Sequence, residues 1–190
     1  GPDTRVVAYD EAASGGAARL WWLLRHFGHD AAAVLDGGVT AWREAGGELV
    51  PGEEIANEAD FHARPRGSDT ASAEEIEAAL GGVRLALVDA RASERYQGRT
   101  EPVDPVAGHI PGARNAPVGE IAPGGRFLPA EALRERLDPQ GQGELVAYCG
   151  SGVSACNLVL AAEVAGLGSR LYPGSWSEWC ARGLPAETGS

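Results

Sequence analysis

Methionine is absent from this chain of 190 residues, position 1 included, and cysteine occurs only three times. Three widely spaced cysteines with no C-x-x-C make neither a disulfide framework nor a zinc-ligand set. That usage suits a reducing compartment, so a cytoplasmic location is expected. No apolar run approaches the roughly 20 residues that cross a bilayer, and no charged n-region followed by an apolar h-region opens the chain. Positive charge is scarce as well: 16 Lys and Arg face 27 Asp and Glu, a formal charge of −11. Such a surface is poorly matched to nucleic acid or anionic membrane, and neither is expected as a partner. Apolar residues, at 44%, are ample for a core.

What is present is concentrated at one place. The apolar run Glu144-Leu145-Val146-Ala147-Tyr148 reads as a buried strand bounded by Gly143 and Gly150. The segment from Ser154 to Ala165 is apolar nearly all round and reads as an internal helix. Between them lies the loop Cys149-Gly150-Ser151-Gly152-Val153-Ser154, which sets a cysteine at the junction of a strand and a helix N-terminus. Free N–H groups and the helix dipole favour an anion there, so the thiolate of Cys149 is favoured as a nucleophile. The glycines at 150 and 152 permit the backbone to curl around that sulfur. Cys156, on the apolar helix, and Cys180, in the helix-spaced set Trp176, Trp179, Cys180, read as packing residues.

A second strand–loop–helix precedes this one. Val6-Val7-Ala8-Tyr9-Asp10 leads into a helical pattern (Ala17, Leu20, Trp21, Leu24, Phe27), then a short strand Ala33-Val34-Leu35 and Asp36-Gly37-Gly38 before Trp42. Leu145 to Cys149 leads into its own helix, a strand at Arg170-Leu171-Tyr172, and Pro173-Gly174-Ser175 before Trp176 and Trp179. Asp10 to Trp42 is a step of 32 residues and Cys149 to Trp179 one of 30, so an internal duplication is expected. Asp10 stands in the place of Cys149, which leaves only the second copy nucleophilic. The second copy has a long patterned stretch before it, from Ser72, and the first has five residues. The expectation is therefore a piece of a longer protein: a partial first domain over 1–50, a linker over 51–70, and a complete domain over 71–190. A second chain completing the first domain, or an open sheet there, is expected with it.

The complete part opens with Ser72-x-x-Glu75, a capping-box spacing. A strand at Leu85–Val88 runs into Asp89-Ala90-Arg91, a turn Gly108-His109-Ile110-Pro111-Gly112-Ala113 feeds an extended segment, and Glu131 to Leu137 is helical. Short apolar strands alternating with helices predict an α/β fold: a parallel sheet covered on both faces, with ligands at the carboxyl ends of the strands.

In Val88-Asp89-Ala90-Arg91, Arg95-Tyr96, Gly108 to Ala113, the loop Cys149 to Ser154, and Gly174-Ser175-Trp176-x-x-Trp179, the chain resembles the rhodanese superfamily, and specifically its two-domain sulfurtransferases. The resemblance spans 72–185, and 6–46 resembles the back half of the family's inactive N-terminal domain. It implies a rhodanese-like parallel sheet, one complete domain plus a partial second copy. It also implies a sulfurtransferase in which Cys149 takes a sulfane sulfur as a persulfide and passes it to a thiol or cyanide, with no metal and no organic cofactor. A thioredoxin-like reductant is a further implied partner. Donor binding falls to Arg95 and to the backbone of Gly150, Gly152, Val153 and Ser154. Members that use thiosulfate carry basic side chains just after the cysteine, where this chain has Gly150 and Ser151. The loop resembles instead the 3-mercaptopyruvate type, in which Ser151 relays a proton to the leaving enolate. That type often has a second arginine after a Glu-Pro pair. Here Glu101-Pro102 is followed by Val103-Asp104, with Arg99 as the nearby substitute.

Two other classes were weighed. A cysteine phosphatase needs C-x5-R, and position 155 is alanine, so the phosphate clamp is lacking. A non-catalytic sulfur-carrier or interaction fragment stays open. Thiosulfate stays open as the donor. His109 reads as structural, His26, His29 and His62 as surface residues, and Trp21, Trp22, Trp42, Trp176 and Trp179 as core or interface packing.

Overall fold

The computed structural model describes residues 4–11, 13–52, 58, 60–80, 85–138, 141 and 144–189. The first segment folds as β1 (Val6–Ala8), α1 (Gly16–His26), β2 (Ala32–Val34) and α2 (Gly38–Glu44). After the polar connection come α3 (Ala73–Ala79), β3 (Ala86–Asp89), α4 (Ser93–Tyr96), β4 (Arg114–Asn115), α5 (Val118–Ile121) and α6 (Ala130–Leu137). The chain closes with β5 (Leu145–Tyr148), α7 (Ala155–Val164), β6 (Ser169–Leu171) and α8 (Ser175–Ala181). Gly143, expected to bound β5, and part of the connection lie outside the described residues.

Two parallel sheets result. β1 and β2 pair with each other, and β4-β3-β5-β6 form a four-stranded sheet with β5 inside it. A parallel bridge from Thr70 to Leu171 extends the β6 edge. β3 and β5 are buried along their whole length, which explains why both read as unbroken apolar runs. Successive side chains then divide between the faces. Val88, Leu145 and Ala147 meet α6 and α7, while Leu87, Val146 and Tyr148 meet Ile76 of α3 and Trp176 and Trp179 of α8. The capping box forms as expected, Glu75 N–H donating to Ser72 Oγ at 3.2 Å.

α7 is apolar all round for a physical reason. One side lies on the four-stranded sheet, and the other packs α1, whose Trp21 and Trp22 belong to the same core cluster. The buried face of α1 is Ala17, Ala18, Trp21 and Trp22, so Leu20, expected inside, is exposed. Trp42 is likewise exposed and donates Nε1–H to Glu48 O, unlike the other four tryptophans, which are buried. His29, expected at the surface, is only 6% exposed, with its N–H bonded to Leu24 O of α1 at 2.7 Å. His26 is partly buried, stacked on Trp22 with its Nδ1 2.9 Å from Asp69, while His62 lies at the surface.

Candidate functional site

β5 delivers Cys149 to the carboxyl edge of the sheet, and the start of α8 fixes it there. Cys149 N–H donates to Ser175 Oγ at 3.1 Å, and that hydroxyl donates to Tyr172 O at 2.9 Å. Trp176 N–H and Ser177 N–H donate to the carbonyls of Cys149 and Gly150, both at 2.9 Å. Ser175 sits at φ 55°, an uncommon conformation for a residue with a side chain, and is fully buried. These four bonds leave the cysteine backbone no freedom to turn its sulfur away.

Cys149 is 2% exposed, and its sulfur accepts the Gly152 N–H at 3.1 Å. Gly152 is at φ 76°, and a Cβ there would stand 2.4 Å from Pro173 O, so only glycine fits. Among the described residues the N–H groups of Gly150, Ser151, Val153 and Ser154 have no protein acceptor. Ser151 is exposed, and Ser154 immediately precedes α7. The loop thus holds one amide on the sulfur and leaves the amides of four neighbouring loop residues uncommitted, a backbone that suits an anion.

A cleft of about 520 Å³ opens over this loop. Its walls follow the carboxyl ends of four strands: Ala13 and Ser14 after β1, Ala90–Ala92 after β3, Pro117–Gly119 after β4, and Cys149–Ser151 after β5. Arg95 also lines it. The loop after β1 therefore supplies one wall. There Asp10 places its own carboxylate at the start of α1, its Oδ2 accepting from Ser14 Oγ (2.9 Å), Gly15 N–H (3.2 Å) and Ala17 N–H (3.0 Å).

Behind Arg95 lies a buried charge network. Arg91 donates to Asp89, Gly108 O and Glu101, with its guanidinium 4.8 Å from the Trp176 ring centroid. Burial disfavours the Arg91 charge, but the hydrogen bonds and charge of Asp89 outweigh it and raise its pKa. Arg95 donates to Glu101 at 2.5 Å from Nη2 and 3.2 Å from Nε, and its Nη2 is 3.6 Å from Asp104 Oδ2. Burial raises Glu101, yet hydrogen bonds from Arg95 and from the Val103 and Asp104 N–H groups prevail and hold its carboxyl below the ordinary range. The residues Glu101, Asp104, Ser175 and Ser14 were not legible as site residues in the sequence. Their only signal was proximity in the chain to Arg95, Trp176 and Asp10, and it acquires meaning once the turns are known.

The remaining candidates fall outside the cleft. Arg99 is exposed and lies 3.6 Å from Glu94, so it does not stand in for a second cleft arginine. His109 is buried, stacked on Tyr96 at 3.8 Å with its Nδ1 2.7 Å from Tyr96 O, a structural placement. Cys156 is fully buried, and burial pushes its thiol up to about 11. Cys180 is half-buried, its thiol raised chiefly by burial.

Comparison with known proteins agrees with this arrangement. The rhodanese-like domain family matches residues 1–45 and 72–182. A probable 3-mercaptopyruvate sulfurtransferase of Pseudomonas aeruginosa is 48% identical over 184 residues, covering 93% of this chain and 65% of that protein. The thiosulfate sulfurtransferase of Rattus norvegicus is 35% identical over 193 residues, covering 96% of this chain and 65% of the relative. The crystal structure of the 3-mercaptopyruvate sulfotransferase SseA from Escherichia coli superposes with a TM-score of 0.80 at 28% identity, over 93% of this chain and 68% of that one. The chain spans about two thirds of the length of the curated relatives it matches. With its strand–loop–helix sites, its parallel sheet and these matches taken together, the chain belongs to the rhodanese-like domain family.

Proposed function

We propose that this chain is a sulfurtransferase that carries a sulfane sulfur on Cys149, with 3-mercaptopyruvate as donor. The observation that carries the reading is the Cys149 sulfur, bonded by the Gly152 amide at 3.1 Å, in a residue that lines a cleft together with Gly150, Ser151 and Ser154, whose amides have no protein acceptor. The Cys149 thiolate attacks the donor sulfur; an S–S bond forms and the donor C–S bond breaks. The electron pair leaves on the pyruvate enolate, which takes the proton of the donor thiol through the Ser151 hydroxyl and departs as pyruvate. An acceptor thiolate then attacks the outer sulfur, the S–S bond breaks back to the Cys149 thiolate, and the acceptor leaves as a persulfide; cyanide leaves as thiocyanate. The amides of Gly150, Gly152, Val153 and Ser154 hold the persulfide anion, and Arg95 holds the donor carboxylate.

Three free cysteines support a reducing, cytoplasmic setting and a thioredoxin-like reductant as acceptor. We read 71–190 as the catalytic domain, 51–70 as the linker and 1–50 as part of a second domain, which another chain segment would complete. Thiosulfate is the second donor reading, supported by the thiosulfate-using relative and by the single arginine in the cleft besides buried Arg91. A non-catalytic sulfur carrier is the reading from another class. Incubation with each donor and cyanide, followed by thiocyanate measurement and intact mass, separates the three: a Cys149 adduct of one sulfur without turnover would favour the carrier.

A further inference from the structure

The carbonyl of Gly152 is held from outside its own repeat. Arg19, on α1, donates from Nη1 to Gly152 O at 3.3 Å and lies 3.9 Å from Cys156 Sγ. Cys156 in turn donates its S–H to the same carbonyl at 3.4 Å, as a thiol kept neutral by burial. The guanidinium is steadied 4.9 Å from the Trp22 ring centroid. Close approach of the two loops makes this reach possible: Gly15 is at φ 102°, and a Cβ there would stand 3.3 Å from Ser154 Cα.

Two donors on one carbonyl fix its direction, and the planarity of the peptide then fixes the N–H that shares its plane, that of Val153. The Val153 amide has no protein acceptor, and the Gly152 amide on the near side already bonds the sulfur. We propose that Arg19 is a positioning residue for the reactive sulfur: through the Gly152–Val153 peptide it aims the amides that stabilise Cys149 as an anion, so that the non-nucleophilic repeat takes part in the chemistry of the other. The kinetic consequence rests on the sulfurtransferase reading; the geometric one applies to a bare thiolate as well.

Arg19→Met keeps the aliphatic length over Trp22 and removes the donors, while Arg19→Lys keeps the charge and one donor group. The first readout is the rate of Cys149 alkylation by iodoacetamide at pH 7, resolved from Cys156 and Cys180 by peptide mass spectrometry. It needs no sulfur donor. The second is turnover of 3-mercaptopyruvate with a thiol acceptor. Arg19→Met is expected to lose about 10-fold in alkylation rate and in kcat with donor KM within about 2-fold, less than the 100-fold typical of deleting a direct donor. Arg19→Lys, which keeps one donor group, is expected to stay about 3-fold below the wild type in both readouts. Wild-type alkylation and kcat in Arg19→Met overturn the role, as does Arg19→Lys no better than Arg19→Met. Should Arg19→Met fail to fold by circular dichroism, Arg19→Lys decides alone: a loss of about 3-fold at unchanged Tm supports the role, and wild-type values overturn it. If the wild type shows no turnover but the alkylation effect appears, the sulfurtransferase reading falls and the role of Arg19 stands.

Discussion

Glu101 grips the guanidinium of Arg95 by two of its nitrogens, at 2.5 and 3.2 Å, and the same carboxylate accepts from Arg91 at 3.2 Å. With Asp89 and Asp104 nearby, the two arginines are outnumbered by three carboxylates. A cleft so balanced is a weak attractor for a dianion, since each added negative charge meets a field that is already compensated. We expect kcat/KM for 3-mercaptopyruvate to exceed that for thiosulfate by about 10-fold or more, roughly what 1.4 kcal/mol of unfavourable charge gives. Glu101→Gln should narrow the gap by raising the thiosulfate value. Side-by-side kinetics on one preparation check this, and a thiosulfate preference in the wild type overturns the donor assignment without touching the nucleophile.

Cys149→Ser should abolish sulfur transfer, whereas Cys156→Ser and Cys180→Ser should keep most of it. Serine at 156 can still donate to Gly152 O, and Cys180 stands outside the cleft. Thiocyanate production by the three variants is the measurement. Equal loss at all three would count against Cys149 as the sole carrier.

Gly152→Ala should unmake the loop. The new methyl would meet Pro173 O at 2.4 Å while the backbone is held at φ 76°, so the loop must move and the amide leaves the sulfur. We expect a loss of about 1–3 kcal/mol in stability and activity reduced by about 100-fold, the usual cost of one oxyanion donor. Denaturant titration and kcat on the same variant test both parts.

Acid should loosen the charge network from Glu101. Its folded pKa lies below the unfolded value of 4.5, so its stabilisation is complete above about pH 4.5 and is lost as pH falls through the folded value. Tm measured from pH 6 down to 3 should fall more steeply in the wild type than in Glu101→Gln, whose amide does not titrate. Parallel curves would show that Glu101 contributes nothing to acid sensitivity.

Asp10→Ala should remove the acceptor for two amides at the start of α1 and lower stability by about 1 kcal/mol, as for a lost helix cap. Thermal unfolding tests this; an unchanged Tm would mean that water replaces the carboxylate at no cost.

The elements were largely legible in the sequence because their cause is local. β5 and β3 are short apolar runs with a turn at their ends, and α7 is almost uniformly apolar from Ala155 to Ala162, where every residue is buried. The Cys149 loop was legible for the same reason, since a cysteine between a strand and a helix with glycines at 150 and 152 specifies its own amide surroundings. Leu20 was misplaced because periodicity marks a face without saying which neighbour covers it, and Trp42 and His29 because residue type alone does not say what packs against them. For α1 that neighbour is α7, more than a hundred residues away in the chain.

Patterns within a few tens of residues suffice for the strand–loop–helix at Cys149, a second strand–loop–helix around Asp10, and the parallel α/β layering. No such pattern reveals that Glu101 neutralises Arg95, that Ser175 clamps the Cys149 backbone, or that Arg19 on α1 holds the Gly152 carbonyl. Those relations, whether six residues apart as for Arg95 and Glu101 or 133 apart as for Arg19 and Gly152, depend on hydrogen bonds whose 3 Å geometry exists only after the sheet edges and helix faces have packed.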